Sequence, residues 1–413
     1  MSNSGEDSDG PIVIVGGGHA GAQLCASLAE AKQGARVHLV CGEAELPYQR
    51  PPLSKAFLKD AQAALQPHRA ESWYAEHGIT LHRADAAVAI ERERKIVRLA
   101  SGRELAYARL VLATGAHARR LPHLPLHGLA NVAVLRSAAD AFALRERLAA
   151  TRRLTVLGGG FIGLEIAASA RGLDLEVEVL EGLPRLLARS VSPELAAHVQ
   201  ASHEAAGIRL RLGVRVGEFE VADGRLAALQ VDGVRQDVEL LVLGIGAAPE
   251  TALAHAAGLA VDNGVEVDAL MRTSDASILA VGDCCSFPCA ALGGRRARLE
   301  SVQNATDQAR TAVATLLGRD EPYRALPWFW SEQGALRLQM AGLVPEGGTR
   351  HRRPGANAAS FSILHYDAAG RFACVESVNA AMDHVISRKL LEAGKSPAPQ
   401  LASDPAVALK SLL

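Results

Sequence analysis

Cysteine pairs, aromatic residues, long apolar runs and net charge are all scarce in this 413-residue chain, and each scarcity removes a class of function. The six cysteines (Cys25, Cys41, Cys284, Cys285, Cys289 and Cys374) include no C-x-x-C pair, and no partner spacing completes a zinc or iron–sulfur site around the last cluster. Reduced structural thiols are the expectation, and no metal site is expected. No apolar run approaches the roughly 18 residues that a membrane-spanning helix needs. The net charge of −1 offers no global attraction to nucleic acid or to an anionic membrane, so neither is expected as a partner. Residues 1–10 are polar and acidic, unlike a secretory signal or a transit peptide, which makes the cytoplasm the expected compartment. Aromatics are only 4% of the chain, so three of them in a row, Trp328, Phe329 and Trp330, stand out. The length calls for two or three domains.

What the chain does have is one glycine fingerprint written twice. The first copy is Gly16-Gly17-Gly18-His19-Ala20-Gly21 and the second Gly158-Gly159-Gly160-Phe161-Ile162-Gly163. Each follows an apolar strand, opens a helical stretch, and is followed by a second apolar strand ending in an acid, Glu43 or Glu181. Glycine permits the tight strand-to-helix turn and the close approach of a pyrophosphate, the helix N-terminus stabilises its charge, and the acid accepts ribose hydroxyls. Two dinucleotides on one chain imply that electrons pass between them.

The order of motifs suggests how the domains interleave. A small hairpin or meander is expected at 95–106, then a buried strand running into Ala113-Thr114-Gly115. The second fingerprint follows as a complete unit closed by an apolar strand at 238–246, and a third buried strand ends at Gly282-Asp283. The expected fold is α/β, with two Rossmann-like dinucleotide-binding domains of the glutathione-reductase type, the second inserted in the first. The first covers 8–118 and 247–325 and the second 119–246. A C-terminal α+β module, 326–413, is expected to carry amphipathic strands at 335–343, 359–366 and 372–379 and helices at 381–393 and about 405–412.

Several further segments carry a resemblance: Pro47-Tyr48, Arg50-Pro-Pro-Leu-Ser-Lys55, Leu164-Glu165, 184–189, Val281-Gly-Asp283, Glu300 with Asn304, and Pro327-Trp-Phe-Trp-Ser-Glu-Gln333. On these the chain resembles the FAD-dependent ferredoxin reductases of oxygenase systems, the group of putidaredoxin reductase, rubredoxin reductase and biphenyl dioxygenase reductase. It departs from their pattern at Glu332, usually aspartate, and at Val302, often tryptophan.

The resemblance implies FAD on the first fingerprint, with Gly16, Gly18, His19, Ala20, Gly21, Glu43, Arg50, Ala113, Thr114, Gly115, Arg119, Gly282 and Asp283 in the binding set. It implies NADH on the second, with Gly158, Gly160, Phe161, Ile162, Gly163 and Glu181. Glu181 would accept the 2′-hydroxyl and repel a 2′-phosphate, while Arg185 and Arg189 could soften that preference. Lys55 and Glu165 would form a pair that orients the nicotinamide, and Trp330 would cover the flavin edge from which electrons leave. Each has a plainer account. Asp283 could be a helix N-cap, Glu165 an acid in the first turn of its helix stabilised by the dipole, and the tryptophans a packed junction.

The implied partner is a 2Fe–2S ferredoxin that feeds a cytochrome P450 or a Rieske-type oxygenase. Arg295, Arg296, Arg298 and the tract Arg350-His-Arg-Arg353 are candidate docking residues, or solvated loops. Two other activities stay open, an NADH oxidase or disulfide reductase on the same scaffold and a redox-signalling flavoprotein resembling apoptosis-inducing factor.

Overall fold

The computed structural model describes residues 10–121, 126 and 128–413. The expected first domain boundary, residue 8, and nearly all of the acidic N-terminal stretch lie outside the described residues. Two compact units make up the chain: one contains the residues up to Arg50, Leu65–His117 and Ala248–Ala325, the other Pro51–Ala64, Ala118–Ala247 and Leu326–Leu413.

The first unit is built on a five-stranded parallel sheet in the order Ile278–Ala280, Arg109–Leu112, Ile12–Val15, Val37–Val40, Thr80–His82. Ile12 pairs with both Val37 and Arg109, so the first fingerprint leaves from the middle of the sheet. The strand Ile12–Val15 is buried along its length, which is why it reads as an unbroken β-branched run rather than an alternation. The helix His19–Glu30 follows the fingerprint, and the helix Val302–Leu316, capped by Ser301 on the Asn304 amide at 3.0 Å, belongs to the same unit. The small meander is present, but it begins earlier than expected, with Ala87–Glu91 pairing to Ile96–Leu99 and then Glu104–Ala106.

The second unit repeats the plan. Its parallel sheet runs Arg209–Leu212, Glu176–Glu181, Arg153–Leu157, Leu240–Leu243, Val132–Ala133, again with the fingerprint strand in the centre. Attached to it is an antiparallel sheet ordered Trp328–Gln333, Leu336–Gly342, Phe372–Val378, Phe361–Tyr366, Thr349–Pro354.

Three expectations for this C-terminal region need correction. Phe361–Tyr366 is buried at every position and Phe372–Val378 at nearly every one, so these strands are not amphipathic. One face of the sheet, with Leu338, Phe361 and Ile363, joins the core of the parallel sheet around Leu154 and Val156, while the other packs Leu364 and Val375 on Ile386 and Leu390 of the helix Ala381–Glu392. The expected helix at about 405–412 is instead a short helix, Pro399–Ser403, and a single 3-10 turn, Leu409–Leu412. The basic tract at 350–353 is not a loop but part of the strand Thr349–Pro354. No described helix is long and apolar enough to cross a membrane.

Candidate functional site

The two glycine loops have nearly the same internal geometry. Gly16 (φ +119°) and Gly158 (φ +111°) make the turn in the left-handed half of backbone space, where a side chain is strained. A Cβ on Gly16 would meet the Ala113 carbonyl oxygen at 2.1 Å, and one on Gly158 the Gly244 carbonyl oxygen at 2.5 Å. The third glycines are as tightly placed: a Cβ on Gly21 would lie 1.9 Å from the Gly16 oxygen, and one on Gly163 2.3 Å from the Gly158 oxygen.

The middle glycines are the exception. A Cβ on Gly18 would find only Arg50 Nε, at 4.0 Å, and one on Gly160 only the Gly244 oxygen, at 3.9 Å. Gly18 and Gly160 are also the N-caps of the helices His19–Glu30 and Phe161–Arg171, and neither helix has a side-chain cap or an acid in its first turn. Each loop therefore presents uncapped N–H donors beside an open space, the arrangement that a pyrophosphate needs, and the residues fit a dinucleotide at both places.

The two acids are held differently. Glu43 closes a ring of side chains: it accepts from Tyr48 Oη at 2.6 Å and Arg50 Nη2 at 2.6 Å, while Arg50 Nη1 donates to Tyr48 Oη at 3.0 Å. Burial works against the Arg50 charge, but Tyr48, Glu43 and the nearby Asp283 outweigh it and lift the guanidinium above its ordinary value. Among the described residues Glu181 is held by backbone, accepting from the Gly159 amide at 2.6 Å and the Leu183 amide at 2.7 Å. Arg185 donates to the Val191 and Ala188 carbonyls, while Arg189 is exposed.

Around the Ala113-Thr114-Gly115 turn, Thr114 Oγ1 donates to the Glu250 carbonyl at 2.7 Å and Glu250 N to the Gly115 carbonyl at 2.9 Å. His19 stacks edge-on against His68 with centroids 4.6 Å apart. The exposed Arg119 donates its backbone amide to Gly246 at 2.9 Å. Asp283 sits in the 3-10 turn Gly282–Cys284, whose first amide donates to Gln308 Oε1 at 2.7 Å. It is therefore not a carboxylate at an α-helix N-terminus, and the N-cap explanation for it falls.

Lys55 and Glu165 are paired: Nζ lies 2.7 Å from Oε2, with the lysine side chain 17% exposed and the glutamate 3%. Glu165 is the fifth residue of Phe161–Arg171, beyond the first turn, so the helix dipole does not explain it. Instead Oε2 also accepts from Ser54 Oγ at 2.5 Å, and Oε1 from Ser331 Oγ at 2.6 Å. Along Trp328–Gln333 the side chains alternate as a strand requires. Phe329 packs on Phe161 at 4.7 Å between centroids and Ser331 reaches Glu165, whereas Trp328 and Trp330 lie together at 5.5 Å, half-buried, with Arg388 5.2 Å from the Trp328 ring.

Known proteins with the same organisation decide the family. Residues 10–309 match the pyridine nucleotide-disulphide oxidoreductases, and residues 328–413 match the domain described as reductase C-terminal. Rhodocoxin reductase of Rhodococcus erythropolis is 40% identical over 95% of this chain and 92% of its own length. The chain belongs to the ferredoxin-reductase branch of the pyridine nucleotide-disulphide oxidoreductases.

The ferredoxin–NAD(+) reductase component of the anthranilate 1,2-dioxygenase system of Burkholderia cepacia is 39% identical to this reductase, over 98% of this chain and 99% of that one. The solved covalent complex of putidaredoxin reductase with putidaredoxin superposes with a TM-score of 0.92 at 36% identity, covering 98% of each chain. This reductase is an oxidoreductase whose cofactors are FAD and NAD(H).

Sequence reasoning brought Lys55 to Glu165 across 110 residues, but it missed Ser54, Ser331 and Tyr48, which complete the two polar clusters. Ser331 had a legible signal, since it follows the aromatic run and alternation sends it opposite to Trp330. The docking tract was misjudged at Arg353, which is buried, donates to the Ala402, Asp404 and Val407 carbonyls and pairs with Asp383. Arg298 is likewise engaged, with Glu300 at 2.6 Å and the Asp283 carbonyl at 3.3 Å.

Proposed function

We propose that this reductase transfers electrons from NADH through FAD to a 2Fe–2S ferredoxin that serves a cytochrome P450 or a Rieske-type oxygenase in the cytoplasm. The observation that carries this reading is the pair of glycine loops, each open only at its middle glycine, on a chain that matches ferredoxin reductases from end to end. Bound FAD supplies a centre that accepts a hydride and gives up electrons one at a time. The protein's part is binding, orientation and electrostatics.

In this reading residues 8–118 and 247–325 form the FAD domain, 119–246 the NAD(H) domain and 326–413 the C-terminal domain. Gly16, Gly18, Gly21, Ala113, Thr114 and Gly115 shape the FAD loop, with His19, Ala20, Arg119 and Gly282 beside it. Arg50, whose Nε borders the open space at Gly18, neutralises phosphate, while Glu43 and Asp283 accept hydroxyls. Gly158, Gly160 and Gly163, with Phe161 and Ile162, cradle NADH, and Glu181 selects its 2′-hydroxyl. Lys55 and Glu165 orient the nicotinamide. Trp330 serves the electron-exit half of the reaction.

Disulfide reduction is disfavoured because all six cysteines are buried and free, and burial raises the thiol pKa of each from its ordinary value. A signalling role that rests on a strongly basic surface is disfavoured by the net charge of −1.

The test is to purify the protein, expecting it yellow with one noncovalent FAD per chain released on heating, and to assay NADH-driven reduction of a 2Fe–2S ferredoxin. A colourless protein that takes up no FAD would overturn the reading. For the exit half, Trp330→Ala should lower ferredoxin turnover and leave stopped-flow flavin reduction by NADH unchanged. If both fall together with thermal stability, Trp330 is a packing residue.

A further inference from the structure

Glu165 is approached from a second direction by a chain of buried polar side chains. Ser331 is fully buried, Gln333 is 2% exposed and His203, on the helix Pro193–Ala205, is 3% exposed. His203 Nε2 lies 2.8 Å from Gln333 Oε1, Gln333 Nε2 donates to Ser331 Oγ at 3.1 Å, and Ser331 Oγ donates to Glu165 Oε1 at 2.6 Å.

The direction of every donor in this chain is fixed by chemistry. A serine hydroxyl has one hydrogen, and a carboxylate can only accept, so the Ser331 hydrogen goes to Glu165 and its oxygen must receive from Gln333. That demand orients the Gln333 amide, which turns its oxygen toward His203 and requires an Nε2–H on the imidazole. The bond to the Gln333 oxygen places a hydrogen on His203 Nε2, and burial holds the ring below the ordinary histidine value, partly opposed by that bond. If the Gln333 amide were reversed, its oxygen would take the Ser331 hydrogen and Glu165 Oε1 would lose this donor.

Oε2 is held independently by Ser54 and Lys55, from the segment Pro51–Ala64. The carboxylate therefore has three donors from two separate parts of the fold, which leaves about one acceptor position of its roughly four for a ligand. Ser169 Oγ, on the same helix as Glu165, donates to the Ser54 carbonyl at 2.7 Å and so fixes the serine at that side.

We infer that His203, Gln333 and Ser331 are positioning residues for the hydride half of the reaction, an oriented chain that aims the Glu165 carboxylate at the nicotinamide end of NADH. The inference rests on the function proposed above. It gives the C-terminal strand two tasks at adjacent residues: Trp330 on one face for electron exit, and Ser331 on the other for hydride entry.

The test is a double-mutant cycle on the FAD-loaded enzyme with Ser331→Ala, Glu165→Gln and the double variant, together with Ser331→Thr and Gln333→Met. Dissociation constants are measured by titration for NAD⁺ and for ADP-ribose, which lacks the nicotinamide, and flavin reduction by stopped flow. Ser331→Ala is expected to weaken NAD⁺ and slow reduction about tenfold while leaving ADP-ribose within about twofold, since it removes a hydrogen bond to a charged group. Ser331→Thr, which keeps the hydroxyl, should recover most of the loss. Gln333→Met should act in the same direction, and Ser331→Ala should have almost no further effect in the Glu165→Gln background.

Equal weakening of NAD⁺ and ADP-ribose, additive effects in the cycle, or a Ser331→Ala enzyme identical to the parent would each overturn the inference. A parent enzyme that NADH does not reduce would instead overturn the proposed function, and the contrast between NAD⁺ and ADP-ribose would still decide the role of the chain.

Discussion

The first and second glycine loops share a backbone but not the way they hold their acids. In both, the outer glycines are pressed against carbonyl oxygens and the middle one faces open space. Glu43, however, is bound by the Arg50 and Tyr48 side chains, so the first loop carries its own cation beside the open glycine. Among the described residues Glu181 accepts from the amides of Gly159 and Leu183, and Arg185 donates to carbonyls of its own loop. A cation already in place favours a tightly kept dinucleotide. An acid fixed by backbone and unpaired with a cation favours a dinucleotide that exchanges and is selected against an extra phosphate. On the proposed function, this difference separates a resident cofactor from a passing one.

The largest effects should come from the outer glycines. Gly21→Ala or Gly163→Ala places a Cβ 1.9 or 2.3 Å from a carbonyl oxygen and is expected to cost roughly 4 kcal/mol or more, seen as lost soluble yield or a collapsed thermal transition. The middle glycines should separate function from fold. Gly18→Val is expected to fold but to stay colourless with added FAD, whereas Gly160→Val should be yellow and resist reduction by NADH. Should the two variants behave alike, the distinction between a resident and a passing cofactor is lost.

A smaller effect is expected at the acids. Glu181→Ala should shrink the ratio of kcat/KM for NADH over NADPH about tenfold by relieving repulsion of the 2′-phosphate. Glu43→Ala should leave that ratio alone and weaken FAD retention instead. Equal use of NADPH by the unaltered enzyme would show that Glu181 does not set the choice.

The smallest effect concerns stability. Burial and the neighbouring Arg388 and Arg337 push His384 down from 6.5 to about 4, and its Nδ1 has no hydrogen-bond partner among the described residues. A base with a depressed folded pKa binds protons more readily when unfolded, so its contribution is complete above about pH 6.5 and is lost as the pH falls toward 4. The melting temperature should drop by a few degrees over that window, and less so in His384→Gln. An unchanged pH slope in the variant would assign the acid sensitivity to other groups.

The sequence made the doubled fingerprint legible because its glycines are set by local sterics and a short run of residues. The Lys55–Glu165 pair was legible only through resemblance, since its partners are 110 residues apart and composition says nothing of their contact. The reason Glu165 is buried was not legible. It depends on Ser54, Ser331 and the tertiary placement of a C-terminal strand, while dipole reasoning put the residue in a first turn that ends before it. Three of the five C-terminal strands stand where the sequence puts them, but Trp328–Gln333 and Thr349–Pro354 were not legible, and Phe361–Tyr366 and Phe372–Val378 are buried on both faces because the core on their second face is not encoded in the strands' own pattern. Arg353 shows the same limit: a basic tract looks solvated until its carbonyl partners, some 50 residues downstream, are known.

On this reading the chain divides the electron pair of NADH between single-electron acceptors. The most direct measurement is an anaerobic titration of the FAD-loaded enzyme and an excess of oxidised 2Fe–2S ferredoxin with limiting NADH, following the ferredoxin spectrum. Two ferredoxins should be reduced for each NADH consumed, at a rate that Trp330→Ala lowers. NADH consumption with no ferredoxin reduction, the electrons appearing in a disulfide or, once air is admitted, only in hydrogen peroxide, would contradict it.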